Sequence, residues 1–191
     1  SRTPGQVAYI GTLTEGRQVD RMFEMIEQTP QAHLVVAGRP TPEVKHFFDD
    51  IRPEQRVDFL GMIPGEQIPQ VLAKTQVGVA FFKPIRNYQK ALPTKLFEYM
   101  AAGIPFISSD LPFLVDLLGP YDCGVFVDTS TDATAAAKAL AELLADPARC
   151  AEMGANGRRA IEEHLNFENE LPGLIEVEQN AVRAKNVKIV E

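Results

Sequence analysis

Residues 83–98, KPIRNYQKALPTKLFE, carry Lys83, Arg86, Lys90 and Lys95, with no Asp or Glu before Glu98. The chain as a whole has a formal net charge of -7, so this is a local reversal of sign. An apolar run of strand character (VGVAFF, residues 77–82) feeds the basic loop, and the loop feeds a helix that opens at Pro93 and Thr94. Such a junction is a ready anion site. The first N–H groups of a helix lack intrahelical partners, and its dipole is positive at that end. Glu98 falls about one turn into the helix, where a carboxylate can accept hydrogen bonds from hydroxyls beside the anion. A phosphate next to a polyol describes a sugar nucleotide.

The other residues of the loop divide by role. Lys95 can contact a phosphate directly or lay its stem over Leu92 and Tyr99; the pattern allows both. Lys83 and Arg86 read as loop charges that steer an anion rather than bind it. Tyr88 either packs on the bound molecule or covers the loop. His33, His46 and His164 are scattered over unrelated segments, so no catalytic histidine is expected. No carboxylate cluster has metal-ligand spacing, so no metal cofactor is expected. The charge of a phosphate would fall to Arg, Lys and the helix dipole.

The elements that must position these residues are legible as an alternation. Strand-length apolar runs at residues 7–11, 33–38, 57–61, 77–82, 104–110 and 124–128 are separated by amphipathic stretches at 19–28, 42–51, 66–74, from 93, and at 111–118. On the first of these stretches Met22, Phe23 and Ile26 share a stripe; on the second, Val44, Phe47 and Phe48 do. Six strands alternating with helices imply right-handed crossovers and a doubly wound, mostly parallel α/β sheet. Gly11, Gly38 and Gly61 each end a strand, on the edge where such sheets hold ligands. A GxGxxG fingerprint is missing. Beyond Asp128 only helices follow. Ser130 or Thr131 would cap one that buries Leu140, Leu143 and Leu144, Pro147 would start the next, and a last runs over about 167–184.

Bulk properties narrow the class. At 191 residues, 45% hydrophobic and 24% charged, the chain reads as one soluble globular unit. The acidic balance argues against nucleic-acid binding. No apolar run approaches the roughly 20 residues needed to span a bilayer. Cys123 and Cys150 are too few for a disulfide framework, and a cytoplasmic location is expected. The opening, SRTPGQVAYIG, runs straight into a strand and reads as a boundary within a longer chain.

In this order the motifs resemble the C-terminal, donor-binding half of a GT-B glycosyltransferase, of the large retaining family 4, or group 1. LPTKLFEYMAAGIPFISSD (residues 92–110) is similar to that family's phosphate loop, Glu-bearing helix and following strand. YIGTLTEGRQVDRMFE resembles its opening strand and phosphate-contacting loop, and HLVVAG and RVDFLGMIP resemble the strands whose ends hold the base. The resemblance covers roughly residues 7–165. It implies a Rossmann-like nucleotide-sugar-binding domain over 1–165. A C-terminal helix and tail over 166–191 would brace an N-terminal acceptor domain that the chain does not contain. It implies a UDP- or GDP-linked sugar as donor and a retaining, metal-independent hexosyl transfer to a glycan or lipid-linked acceptor. It also implies peripheral contact of the full enzyme with the inner face of the membrane.

Carried over residue by residue, Glu98 matches the carboxylate on the donor ribose, and Arg17 stands where the family usually has a diphosphate-contacting Lys. Leu92, Pro93, Thr94 and Lys95 match the turn that cradles the distal phosphate. Met62 and Ile63 match the base segment, with Gly11, Thr12 and Gly38 at the neighbouring strand ends. Arg17, Lys95 and Glu98 would carry the chemistry. Two positions depart from the pattern. Lys90 occupies the place of a first Glu, eight residues before Glu98, that usually contacts the transferred sugar. A branch with an NYxKxLPTKxFEYM-like loop lacks it too. Thr12 stands where an Arg is common, a loss that Arg17, Lys90 and Lys95 could offset. Two other readings stay open: a non-catalytic nucleotide-sugar-binding partner module, and half of a sugar-nucleotide epimerase. The second would need carboxylates and His at the cleft for proton abstraction.

Overall fold

The computed structural model describes residues 2–86, 88–89 and 92–166. Among the described residues six strands form one sheet: β1 (Gln6–Ile10), β2 (His33–Ala37), β3 (Val57–Gly61), β4 (Val77–Ala80), β5 (Phe106–Ser109) and β6 (Gly124–Val127). Their order is β3-β2-β1-β4-β5-β6, and every neighbouring pair is parallel. The sheet expected to be mostly parallel is therefore wholly so. Chain order reverses direction between β1 and β4, and in open parallel sheets the ligand crevice lies outside the strand carboxyl ends at that switch.

Among the described residues six α-helices flank it: α1 (Val19–Glu27), α2 (Ile68–Lys74), α3 (Thr94–Ala101), α4 (Pro112–Leu118), α5 (Thr134–Ala145) and α6 (Pro147–Glu163). The inner strands β1, β2, β4 and β5 are nearly continuous in apolar character because both faces are covered, whereas β3 at the edge is partly exposed. On one face Val7, Leu34, Val79 and Ile107 pack with Met22 and Ile26 of α1 and Leu140 of α5. On the other, Ile10, Ala80 and Phe106 pack with Leu96 and Met100 of α3, Leu114 of α4 and Ala160 of α6.

Two local expectations change. Residues 42–51 form no α-helix; only a single 3-10 turn, Lys45–Phe47, is present. Pro42 and Pro53 bracket the segment. Its aromatic side chains are buried by clustering instead, with Phe23 5.4 Å from Phe47 and Phe48 4.5 Å from Phe59 between ring centroids. The helix after β6 begins at Thr134, later than Ser130 or Thr131 would cap it. The Asp132 carboxylate accepts from the Thr134 N–H, while Asp128 accepts from Ser130 to form the preceding turn. α6 starts at Pro147 as expected, with the Asp146 side chain accepting from the Arg149 N–H. Cys123 and Cys150 are buried free thiols. The helix expected over 167–184 lies outside the described residues.

Tyr99 seats α3 over the switch point. Its hydroxyl lies 3.1 Å from both the Ala8 and Val79 carbonyls, on β1 and β4 respectively. Gly78 leaves room for the ring, since a Cβ there would fall 2.5 Å from it. The start of α3 thereby points at the crevice.

Candidate functional site

The loop between β1 and α1 and the first turn of α3 face each other across the β1–β4 switch. Lys95, on that first turn, is only 7% exposed. Its amine donates to the Tyr9 hydroxyl at 3.1 Å and stands 4.5 Å from the centroid of the Tyr9 ring. Tyr9 in turn donates to the Thr12 carbonyl at 2.7 Å, so its one proton is committed and its oxygen is left to accept from Lys95. Burial raises the Tyr9 hydroxyl pKa far above its ordinary value, keeping it protonated. Burial also pulls Lys95 down from its ordinary 10.5 to about 7. Arg17 pushes the same way, and Glu98 opposes both. The amine has donors to spare and a cation beside it. An anion entering the crevice would supply both missing terms.

Arg17 lies over the rings of Phe82 and Tyr88, 4.7 Å from each centroid. Tyr88 covers the loop: a Cβ at Gly16 would come within 2.7 Å of its ring. This geometry favours the covering role for Tyr88 that the residue pattern left open. Lys83, expected to steer an anion, is instead ion-paired with Glu15, and its N–H bonds the Gly16 carbonyl at 2.9 Å. Lys95 likewise follows neither Leu92 nor solvent, because Tyr9 holds its amine inside the fold.

The turn before α3 has Leu92 exposed, Pro93 buried as N-cap and Thr94 exposed. The earliest backbone bond into the helix is Leu96 N–H to the Pro93 carbonyl, so the Thr94 and Lys95 N–H groups lie ahead of it. Lys90 lies outside the described residues.

Beside Lys95 and Arg17 a cavity of about 310 Å³ opens at the ends of β1, β2 and β3. Gly11, Thr12, Gly38, Met62 and Ile63 line it together with Arg39 and Ile68. The strand ends approach closely enough to require glycine. A Cβ on Gly38 would lie 1.8 Å from the Gly11 carbonyl oxygen, inside any tolerable contact. Glu98 lines an adjacent cavity of about 500 Å³ between α2 and α3, and Ile68 belongs to both walls. The structure therefore brings Gly11, Thr12, Gly38, Met62 and Ile63 to one cavity. Glu98 comes to its neighbour, and Arg17 and Lys95 stand near Phe82 between the strand ends and α3.

Residues 2–160 match the family described as glycosyl transferases group 1. The chain belongs to it. A GDP-mannose-dependent monoacylated alpha-(1-6)-phosphatidylinositol monomannoside mannosyltransferase of Corynebacterium glutamicum is 28% identical over 157 residues, 78% of this chain and 39% of the relative. The lipopolysaccharide core biosynthesis mannosyltransferase LpcC of Rhizobium leguminosarum is 27% identical over 159 residues, 80% of this chain and 43% of the relative. The chain thus spans less than half the length of these relatives. Among solved structures, Anabaena HepE in complex with UDP superposes with a TM-score of 0.77 at 14% identity, covering 93% of this chain and 49% of that one. The C-terminal domain of a group 1 protein, LpcC of Francisella tularensis, superposes at 0.69 and 17% identity. That match covers 87% of this chain and 88% of that domain. These likenesses establish the GT-B C-terminal fold for this group 1 domain.

Sequence reasoning missed three features around the candidate crevice. Tyr9 sits in an apolar run, VAYIG, and reads as core; its partner Lys95 is 86 positions away. Gln18, 3% exposed and at positive φ, donates to the Thr129 carbonyl, while its side-chain oxygen accepts from the Thr129 hydroxyl at 2.7 Å. Ser109 stands 2.7 Å from that hydroxyl and accepts from the Phe82 N–H at 2.9 Å, so this network ties the ends of β4, β5 and β6 to the start of α1. Arg39 was the third, although a cation directly after a strand-ending glycine is a signal that could have found it.

Proposed function

We propose that this chain is the donor-binding half of a retaining glycosyltransferase and holds a nucleoside-diphosphate sugar across the carboxyl edge of β1–β4. The observation that carries the reading is the pairing of a buried, under-compensated amine, Lys95, with a carboxylate, Glu98, on the same helix at the switch point. Lys95, Arg17 and the N–H groups opening α3 would take the diphosphate. Glu98 would accept from the ribose hydroxyls, and the Met62–Ile63 turn would hold the base with main-chain groups. As the sugar leaves, negative charge grows on the diphosphate. Fixed cations in a site shielded from water stabilise that charge without reorganising, which is electrostatic catalysis. In this reading no metal takes part. The mannosyltransferase relatives and the UDP-bound neighbour support a sugar nucleotide as ligand and leave both GDP- and UDP-linked donors in view. Acceptor binding falls to a second domain, so the chain by itself binds donor and turns over little or none.

Calorimetric titration of GDP, UDP and their sugars into the chain tests this. We expect binding by the parent and a loss of at least tenfold for Glu98→Ala and Arg17→Ala. Unchanged affinity in both variants, or no nucleotide bound by the parent, overturns the assignment.

A further inference from the structure

We propose that Arg39 selects the base of the donor and that this base is guanine; the inference rests on the nucleotide-sugar reading above. Arg39 is the charged side chain on the wall of the 310 Å³ cavity, whose remaining side chains are apolar apart from the Thr12 hydroxyl. Its position is fixed by the backbone. The Arg39 carbonyl accepts from the Leu13 N–H at 3.0 Å, and the next residue, Pro40, forms a parallel bridge with Leu13. The side chain itself is exposed, and among the described residues no carboxylate pairs with it and no acceptor takes its N–H groups. Arg21, Arg149 and Arg158 each have a carboxylate partner; among the described residues Arg39 has none and stands on the cavity wall, which sets it apart from other unpaired arginines such as Arg159.

The cavity also presents a surface for a ring. Met62 is 74% exposed at its wall, and nothing in the described chain covers it. A planar base lying against Met62 and Ile63 would bury that apolar surface and bring one edge to the strand ends where Arg39 stands.

The guanidinium has donors only, set in a rigid fork. Guanine offers two adjacent acceptors, N7 and O6, that match this fork, as in the commonest specific Arg–base contact. Uracil offers O4 flanked by the N3–H donor, so it satisfies one arm and faces the other with a like group. Adenine and cytosine place an exocyclic amine at the same edge, which the fork repels. The second hydrogen bond is worth about tenfold to a hundredfold in discrimination. Lysine in the same place would keep the charge but lose the fork.

Calorimetry with GDP and UDP on the parent, Arg39→Ala and Arg39→Lys decides the matter. Because Arg39 is exposed and its backbone bonds do not depend on its side chain, both variants should melt with the parent. We expect the parent to prefer GDP by about tenfold or more, and both variants to lose that preference through weaker GDP binding with UDP unchanged. A parent that binds UDP as well as GDP or better overturns the proposal. So does equal weakening of both nucleotides in Arg39→Ala, which would place the guanidinium on the phosphates, or a preference retained in Arg39→Lys, which would make it a matter of charge. No binding of either nucleotide to the parent defeats the donor reading itself, a result distinct from the others.

Discussion

Cations are treated in opposite ways at the crevice and on α6. On α6, Arg149 reaches Asp122 at 2.5 Å and Glu152 at 2.9 Å, and these carboxylates hold its pKa above the ordinary value. Arg158 pairs with Glu162 at 2.8 Å. At the crevice Lys95 has a phenol for a partner, a second cation nearby and little water, and its pKa falls. Exposed ion pairs contribute little to stability because solvent already compensates each charge. A buried cation without a counter-charge is costly to the fold. The contrast teaches that the chain completes its electrostatics on the outer helix and leaves them incomplete where an anion is expected.

The sharpest way to break this comparison is Lys95→Met, which keeps the length of the side chain and removes the charge. We expect nucleotide-diphosphate affinity to fall about a hundredfold, equivalent to about 2.7 kcal/mol, by calorimetry. The ligand-free variant should melt no earlier than the parent, because a buried unpaired charge has been replaced by apolar bulk. A clear drop in melting temperature would show that Lys95 is structural.

Next in size is a pH effect with two opposed slopes. The Lys95 pKa is about 7 in the fold against an ordinary 10.5, so between these values the unfolded chain carries the extra proton. The group therefore adds stability to the ligand-free fold as pH rises from about 7 to about 10.5, and contributes no slope below 7. Phosphate binding needs the ammonium, so affinity should fall by about tenfold per pH unit above 7. Urea denaturation and nucleotide titration across pH 6–9.5 measure the two, and Lys95→Met should flatten both.

Tyr9→Phe should act more mildly. It removes the acceptor of Lys95 and the donor to the Thr12 carbonyl, and should cost about 1–2 kcal/mol of stability by urea denaturation. Nucleotide binding should weaken about fivefold as the amine loses its fixed position. Arg149→Ala is the smallest change. Stability should move by less than about 1 kcal/mol, and nucleotide affinity should not move at all. A strong effect on binding from α6 would end the distinction between the two regions.

The site was partly legible because its pieces carry local signals. Strand-ending glycines, a basic loop and a Pro-Thr helix start are each readable within a few residues, and they pointed to Gly11, Gly38, Lys95 and Glu98, while Met62 and Ile63 came from the family resemblance. What escaped depended on distance along the chain. Nothing near Tyr9 shows that its hydroxyl meets Lys95, and nothing near Gln18 shows a buried amide answering Ser109 and Thr129. Lys83 was misjudged for the same reason, since Glu15 lies 68 positions earlier. The segment at 42–51 failed differently. Its apolar spacing fits a helix, but Phe47 and Phe48 cluster with Phe23 and Phe59 around a single 3-10 turn.

The Gln18–Ser109–Thr129 network has a consequence for the order of events in a growing chain. Its members are separated by 91 and 111 positions, and contacts of such range form only after long loops close. During synthesis the residues of β1, β4 and α3 emerge before Thr129, so the buried Gln18 amide lacks its Thr129 partner until β6 docks. If the chain binds the proposed nucleotide, retention by ribosome-bound chains of increasing length would then rise once Thr129 is free, reporting the completion of the sheet.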